Sequence, residues 1–366
     1  MKIYRLGTHK KEIKICINDN NFELNNKTIF ESKKQLTDKK CEIDKCKPNE
    51  WEIAKKKTND YEYIYTSSKK EKNICSIQPV SRSYFKIYQM IKDIPSLIKE
   101  NTYNACLAEG PGGFIHCLND IQNDYNFKKN YGITLISYDK NIPYWNQQIL
   151  INKNNYISRG FDNTGNIYSI KNVKHFINEV GDNKCNLVTA DGGFDYSNDY
   201  NVQEDISYNL LYCEIFTALN IQCCSGNFII KLFDLFNYRT VQLIYLLYCH
   251  YSNLEFYKPS LSRNSNSEKY LICSGFSGCS KYLLKVLEEY YNDFDNLFLE
   301  IPQSFIDEIN HYNTTFTKQQ IESIDNNLDL IKKQKLNKTP SSNQLDIAKK
   351  WCEIYNLKIN ENCIYL

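Results

Sequence analysis

The sequence predicts an α/β fold: a seven-stranded, mostly parallel, doubly wound sheet with one antiparallel strand. An N-terminal extension over 1–80 and a helical lobe over 281–366 would flank this sheet domain over 81–280. Three observations predict it. From Ser81 onward, strand-like runs alternate with runs of helical apolar spacing, the pattern of βα units. The last two strand-like runs are separated by a polar loop alone, which predicts a hairpin and hence one strand running against the rest. Three of only 13 glycines stand at one turn, in "AEGPGGF", directly after the first of these runs.

In order, "SRSYFKIYQMIKDI" opens with serine and continues with helical spacing through Tyr84, Ile87, Tyr88 and Ile91. The strand "NACLAE" and helix "GFIHCLNDIQ" follow, then the strand "GITLISYD" and a short helix in "IPYWNQQIL". "NNYISRG" is a weak strand before the helix "SIKNVKHFINEVG". "CNLVTADGG" and "NFIIKLFD" are strands, each followed by a long apolar helix, and "NLEFYKP" and "KYLICSGF" close the series. In the extension, "EIKICIND" and "YEYIYTS" alternate like short strands, and 31–60 reads as a charged loop or surface helix. Three amphipathic segments beyond 280 predict helices, with "KLNKTPSSN" as a loop between the last two.

Composition narrows the function classes. At 42% hydrophobic and 24% charged residues, the chain reads as an ordinary globular protein. No apolar run has the length of a bilayer span, and the charged start is unlike a signal peptide. The fifteen cysteines include no CxxC pair, so they read as reduced thiols of a cytoplasmic compartment, and no metal site is assigned. With a net charge of +2, a nucleic-acid partner needs a local basic patch.

Four charged residues stand out by position. Lys86 lies on the leading helix, Asp191 at the carboxyl end of a strand, Lys231 inside the apolar strand "NFIIKLFD", and Glu268 at the start of the last strand. A lysine in a buried strand is costly unless paired or functional. Lys86, Asp191 and Glu268 taken singly are ordinary surface or turn residues; the four together are not.

"SRSYFKIYQMI", "AEGPGGF", "TADGGFD", "IIKLFD" and "SRNSNSEKYLIC" occur in that order over 81–276. Together they resemble the FtsJ-like (RrmJ) family of S-adenosylmethionine-dependent RNA ribose 2′-O-methyltransferases. The match is nearest the mRNA cap-1 branch, with similar proteins in large cytoplasmic DNA viruses. The resemblance implies a Rossmann-like fold and a catalytic tetrad of Lys86, Asp191, Lys231 and Glu268. It implies S-adenosylmethionine held by Glu109, Gly110, Pro111, Gly112, Gly113 and Phe114, with Asp139, Asp162, Asn166 and Asp191. Asn166 stands where the family commonly has an acid, a departure that bears on cofactor affinity.

A ribose 2′-hydroxyl is a poor nucleophile, so it must be aimed at the methyl group and helped to lose its proton. Lys231 is the candidate base or the group that stabilises the developing alkoxide, and Asp191 and Glu268 would tune it. The partner implied is RNA, at a capped mRNA 5′ end, with other capping subunits as further partners. Arg82, Tyr84, Arg159, Lys258 and Arg263 would line the RNA groove, with Tyr257 and Phe194 as further stacking faces. Trp51, Trp145 and Trp351 read as packing residues. Ribosomal or other structured RNA, and a non-catalytic scaffold, remain as alternatives.

Overall fold

The computed structural model describes residues 2–15, 32–194 and 199–366. Strand β1 (Ile3–Arg5) and helices α1 (Ser32–Ile43), α2 (Pro48–Lys57) and α3 (Ser83–Asp93) precede the first central strand, β2 (Tyr103–Leu107). There follow α4 (Gly113–Asp120), α5 (Gln122–Tyr125), β3 (Lys129–Ile133), α6 (Gln147–Ile151), β4 (Asn155–Ser158), α7 (Ile170–Val180) and β5 (Cys185–Ala190). Then come α8 (Gln203–Ile221), β6 (Gln222–Leu232), α9 (Tyr238–His250), β7 (Tyr251–Tyr257) and β8 (Lys269–Phe276). Helices α10 (Lys281–Glu289), α11 (Gln303–Lys332) and α12 (Ser342–Ile354) end the order.

The sheet has eight strands in the order β1-β7-β8-β6-β5-β2-β3-β4. Seven of them are the expected ones, with β8 antiparallel to both β6 and β7. The eighth, β1, pairs antiparallel with β7 through Ile3↔Tyr257 and Arg5↔Glu255. Three residues are too short for an alternation signal, so the sequence does not announce this edge strand.

Alternation along the strands sorts side chains onto two faces. Ala105, Leu107, Val188, Phe228, Ile230 and Leu271 join the core formed with α7, α8 and α9. Cys106, Leu187, Ile229, Tyr270 and Ile272 join a second core with Tyr84, Phe85 and Phe114 of α3 and α4. Both faces are covered, which is why the central strands read as continuous apolar runs. Each buried Leu, Ile or Phe contributes about 1.5–3 kcal/mol. Lys231 shares its face with Ile229, two residues earlier, and so is directed toward α3.

Strand order reverses between β2 and β5, so the crevice above their carboxyl ends is the switch point. The "EGPGGF" turn leaves β2 there, and "DGG" leaves β5 there.

The flanking segments depart from expectation in three places. "YEYIYTS" is not a strand; Glu62–Ile64 form a 3-10 turn whose Glu62 and Ile64 are both buried. "EIKICIND" contributes only a bridge from Ile15 to Leu299, and its remainder from Cys16 lies outside the described residues. Helix α11 is longer than the amphipathic segment at 317–334 suggested and begins after Pro302. Its early part carries Asn313, Thr314, Thr315 and Thr317, which weaken the helical signal. Packing overrides them: Tyr312 stacks on Phe256 at 4.2 Å between ring centres, and the Asn313 amide donates to Leu235 O at 2.6 Å.

The two ends of the chain are laced together. The Gln344 amide donates to the carbonyls of Lys56, Lys57 and Asn59. The Asn360 amide donates to those of Lys70 and Asn73. No helix among the described residues is long and apolar enough to cross a membrane.

Candidate active site

The site is built from the carboxyl ends of β2, β5 and β6, the amino end of β8, and the first turn of α3. Lys86 sits on α3 and its amine donates to both Glu268 oxygens, at 2.7 and 2.8 Å. Lys231, one residue before the end of β6, donates to the Asp191 backbone carbonyl at 2.8 Å and lies 3.3 Å from the Asp191 carboxylate. The two pairs meet at Tyr270. Its hydroxyl donates to Asp191 Oδ1 at 2.8 Å, and the Lys86 amine lies 5.9 Å from its ring centre. The four residues that stood out in the sequence are thus together at one end of the sheet.

Tyr270 was missed, although the signal was present. It stands two residues after Glu268, which lies one residue before β8, and it is the direct register partner of Lys231.

The electrostatics decide the charge of Lys231. Burial alone would push its pKa down, but Asp191 and Glu268 outweigh burial, and the net direction is above the ordinary lysine value. Lys231 therefore rests as an ammonium. Glu268 is also buried, which favours the neutral acid, yet Lys86 and Lys231 hold its pKa down at about 2. Glu62 behaves alike: burial is overcome by Arg82 and Arg263, again at about 2.

Both folded values lie below the ordinary 4.5. Their contribution to stability is full above that value and is lost as pH falls through about 2. The expected result is a urea midpoint that drops between about pH 5 and about pH 2.5, with Glu62→Gln removing part of that slope.

Three loops converge beside this cluster. The Gly110 amide donates to Thr134 Oγ1 at 3.3 Å, and a Cβ on Gly110 would overlap the Pro143 carbonyl. Gly165 has φ +61°, its amide donates to Arg159 O at 2.7 Å, and a Cβ there would overlap the Thr134 carbonyl. The turns after β2, β3 and β4 therefore touch backbone to backbone. Pro111 O accepts from the Asn146 amide, Gly113 lies against the Ser81 and Ser83 hydroxyls, and Phe114 is fully buried behind the turn. Gly165→Ala is expected to lower affinity for S-adenosylhomocysteine about ten-fold or more by calorimetry, because an alanine there must take up a left-handed conformation as well as displace the neighbouring turn.

Asp139 is exposed in the loop after β3, not at the strand end, because β3 stops at Ile133; its Oδ1 accepts from the Asn141 amide. Asp162 accepts from Thr164, and Asn166 Oδ1 accepts from the Tyr168 amide at 3.0 Å. A carboxylate could make that same bond, so Asn in place of an acid keeps the turn.

Several residues expected at an RNA groove are structural. Tyr84 and Tyr257 are buried and offer no stacking face. Lys258 is buried and donates to the carbonyls of Asn266 and Glu268, both at 2.6 Å; burial pushes its pKa down to about 7. Arg82 donates to the carbonyls of Leu261 and Tyr65 and pairs with Glu62 at 3.1 Å. Arg263 makes a fork on the same Glu62, at 2.9 and 3.1 Å. Arg159 and Phe194 are exposed. Trp51, Trp145 and Trp351 are all in the core.

A family model for FtsJ-like methyltransferases matches residues 79–276, a little over half of the chain. The chain belongs to the FtsJ-like methyltransferase family. Its similar proteins include the cap-specific mRNA (nucleoside-2′-O-)-methyltransferase 2 of Drosophila melanogaster, 30% identical over 60% of this chain and 33% of that one. The cap-specific mRNA (nucleoside-2′-O-)-methyltransferase 1 of Dictyostelium discoideum is 28% identical over 79% of this chain and 40% of its own. The mouse enzyme of that second name is 32% identical over 62% of this chain and 30% of its own. The chain thus spans about two fifths or less of the length of these relatives.

S-adenosylmethionine, the methyl donor of FtsJ-like methyltransferases, fits the loops at the switch point. Both carboxyl oxygens of Glu109 are buried at the end of β2 without a hydrogen-bond partner among the described residues. Burial, then Asp191, pushes the Glu109 pKa well above the ordinary carboxylate value. An orphaned buried carboxyl beside closely approaching backbone is a place where a cationic, hydrogen-bonding ligand relieves a cost. Glu109 to Gly113, Asp139, Asp162 and Asn166 would hold it.

Proposed function

We propose that this chain transfers a methyl group from S-adenosylmethionine to the ribose 2′-hydroxyl of the first transcribed nucleotide of capped mRNA. The observation that carries the reading is Lys231, a charged lysine at a strand end, fixed by Asp191 and set beside the Lys86–Glu268 pair. The names of the relatives, which specify cap-specific nucleoside-2′-O-methyl transfer, support it.

When bound, the cofactor supplies a methyl group on a cationic sulfur, open to in-line displacement. The chain supplies aim and electrostatics. The Lys231 ammonium donates a hydrogen bond to the ribose 2′-oxygen and turns a lone pair toward the methyl carbon. This fixed ammonium would stabilise charge on the 2′-oxygen as it takes up the methyl group. The hydroxyl proton leaves toward the Asp191 carboxylate, which Tyr270 and Lys231 hold in place. A pocket of about 270 Å³ is lined by Lys56, Lys57, Lys72 and Lys338, with Thr66 and the half-buried Tyr365. Lysines beside an aromatic edge suit a phosphate-linked base.

The test is transfer of tritiated methyl from S-adenosylmethionine to capped and uncapped versions of one short RNA, with nuclease digestion to locate the label. Label on the first ribose of the capped RNA alone is expected. Label on internal riboses or on uncapped RNA replaces the cap reading with structured RNA. No transfer by folded protein replaces it with a scaffold role.

A further inference from the structure

We infer that Glu62 is a positioning residue for the Lys86–Glu268 pair: this carboxylate, outside the family-matched segment, ties the start of α3 to the β7–β8 loop and so fixes the approach of Lys86 to Glu268. The inference rests on the proposed methyl transfer for its meaning and on the geometry for its content.

Glu62 is fully buried, and its carboxylate is fully engaged. Oε1 meets Arg82 Nη1 at 3.1 Å and Arg263 Nη2 at 2.9 Å. Oε2 accepts from Arg263 Nε at 3.1 Å and from the Asn59 amide at 2.8 Å. Arg82 directly precedes α3, one helical turn before Lys86. Arg263 lies in the loop that delivers Glu268 to β8, and Arg82 also holds the Leu261 carbonyl of that loop. The same two elements are therefore bridged twice, once by Lys86–Glu268 and once by the Glu62 clamp.

The second bridge sets the first. An ion pair across two elements is only as well placed as the elements themselves. Without the carboxylate, two buried guanidiniums face each other from α3 and the loop, and like charges push the elements apart. Lys86 then no longer reaches both oxygens of Glu268, and Glu268 bears on Lys231 from a changed position.

A carboxylate that served folding alone would lower stability without altering turnover per folded molecule, so the test separates the two. Full-length wild type, Glu62→Gln and Glu62→Asp are compared by thermal unfolding, by steady-state methyl transfer, and by acetic anhydride labelling of lysines read by mass spectrometry. For Glu62→Gln at a temperature where it is folded, kcat is expected to fall about ten-fold or more while KM for S-adenosylmethionine stays within about two-fold. Labelling of Lys86 is expected to rise about three-fold or more relative to the exposed Lys285, because the amine leaves its carboxylate. Glu62→Asp, which keeps the charge, is expected to restore most of both readouts. A kcat within about two-fold of wild type, or unchanged Lys86 labelling, overturns the inference. If wild type methylates no RNA, the proposed function falls, and the labelling of Lys86 alone still decides the role of Glu62.

Discussion

Lys231→Met lowers the rate of methyl transfer by about a thousand-fold while leaving cofactor affinity within about three-fold. The direction follows from geometry: the amine is the group fixed by the Asp191 carbonyl and carboxylate at the strand end, and methionine fills the apolar stem but offers no donor. The magnitude is that of removing a preorganised donor in a partly buried site, about 10²–10³, with loss of orientation added. Folding is expected to survive, because Tyr270 still donates to Asp191. Lys231→Arg is the sharper control. It keeps a cation but not the compact ammonium geometry, so activity stays low. The pH profile reads the working form. A lysine whose pKa is raised is charged throughout the neutral range, so the rate should hold on going to mildly alkaline pH and fall only as the ammonium is lost. A rate that climbs steadily through the alkaline range would instead make neutral Lys231 a base. The checks are single-turnover transfer across pH and calorimetric binding of S-adenosylhomocysteine.

Lys40→Met is expected to destabilise the protein by about 3–5 kcal/mol, the usual loss when one partner of a buried pair is removed. Lys40 and Asp234 are 4% and 7% exposed and 2.6 Å apart, so water cannot solvate the carboxylate left behind. Asp234 is buried, and Lys40, then Lys269, keeps its pKa below the ordinary value. Lys269, whose pKa burial pushes down to about 8, remains near and is still mostly charged at neutral pH, so its charge offsets part of the loss. The shift should read as about 4–7 °C in Tm. The double variant Lys40→Met with Asp234→Asn should recover part of it, since no carboxylate is then stranded. A single variant with an unchanged Tm would mean the pair contributes nothing. The effect reaches the site because Asp234 follows Lys231 by three residues on the chain leaving β6.

The sheet was legible where burial on both faces forced continuous apolar runs, as in "NLVTA" and "NFIIKL". Lys231 was legible for the same reason, since a lysine in such a run contradicts its surroundings. The groove residues were misread because a sequence shows a charge and not its partner. Arg82 and Arg263 are answered by Glu62, which lies in a stretch whose alternation resembled a strand. Lys258 is answered by backbone carbonyls, which no composition reveals. Tyr84 and Tyr257 could not be told from exposed tyrosines among the 29 in this chain. Asp139 fell outside its strand because "GITLISYD" carries two more apolar residues, Leu135 and Ile136, past the last ladder pair.

The pairing of β1 with β7 has a consequence for how the protein is made. Ile3 must wait for Tyr257 to leave the ribosome before either can form its ladder. At about 5–20 residues per second, that is a delay on the order of 10–50 s. The Lys40–Asp234 and Glu62–Arg263 pairs impose nearly the same delay on α1 and the Glu62 turn. During it the nascent N-terminal arm has its charges but not their partners, and the half-made sheet has an open edge at β6. Co-translational arrest at successive lengths should show protease resistance arriving late and together.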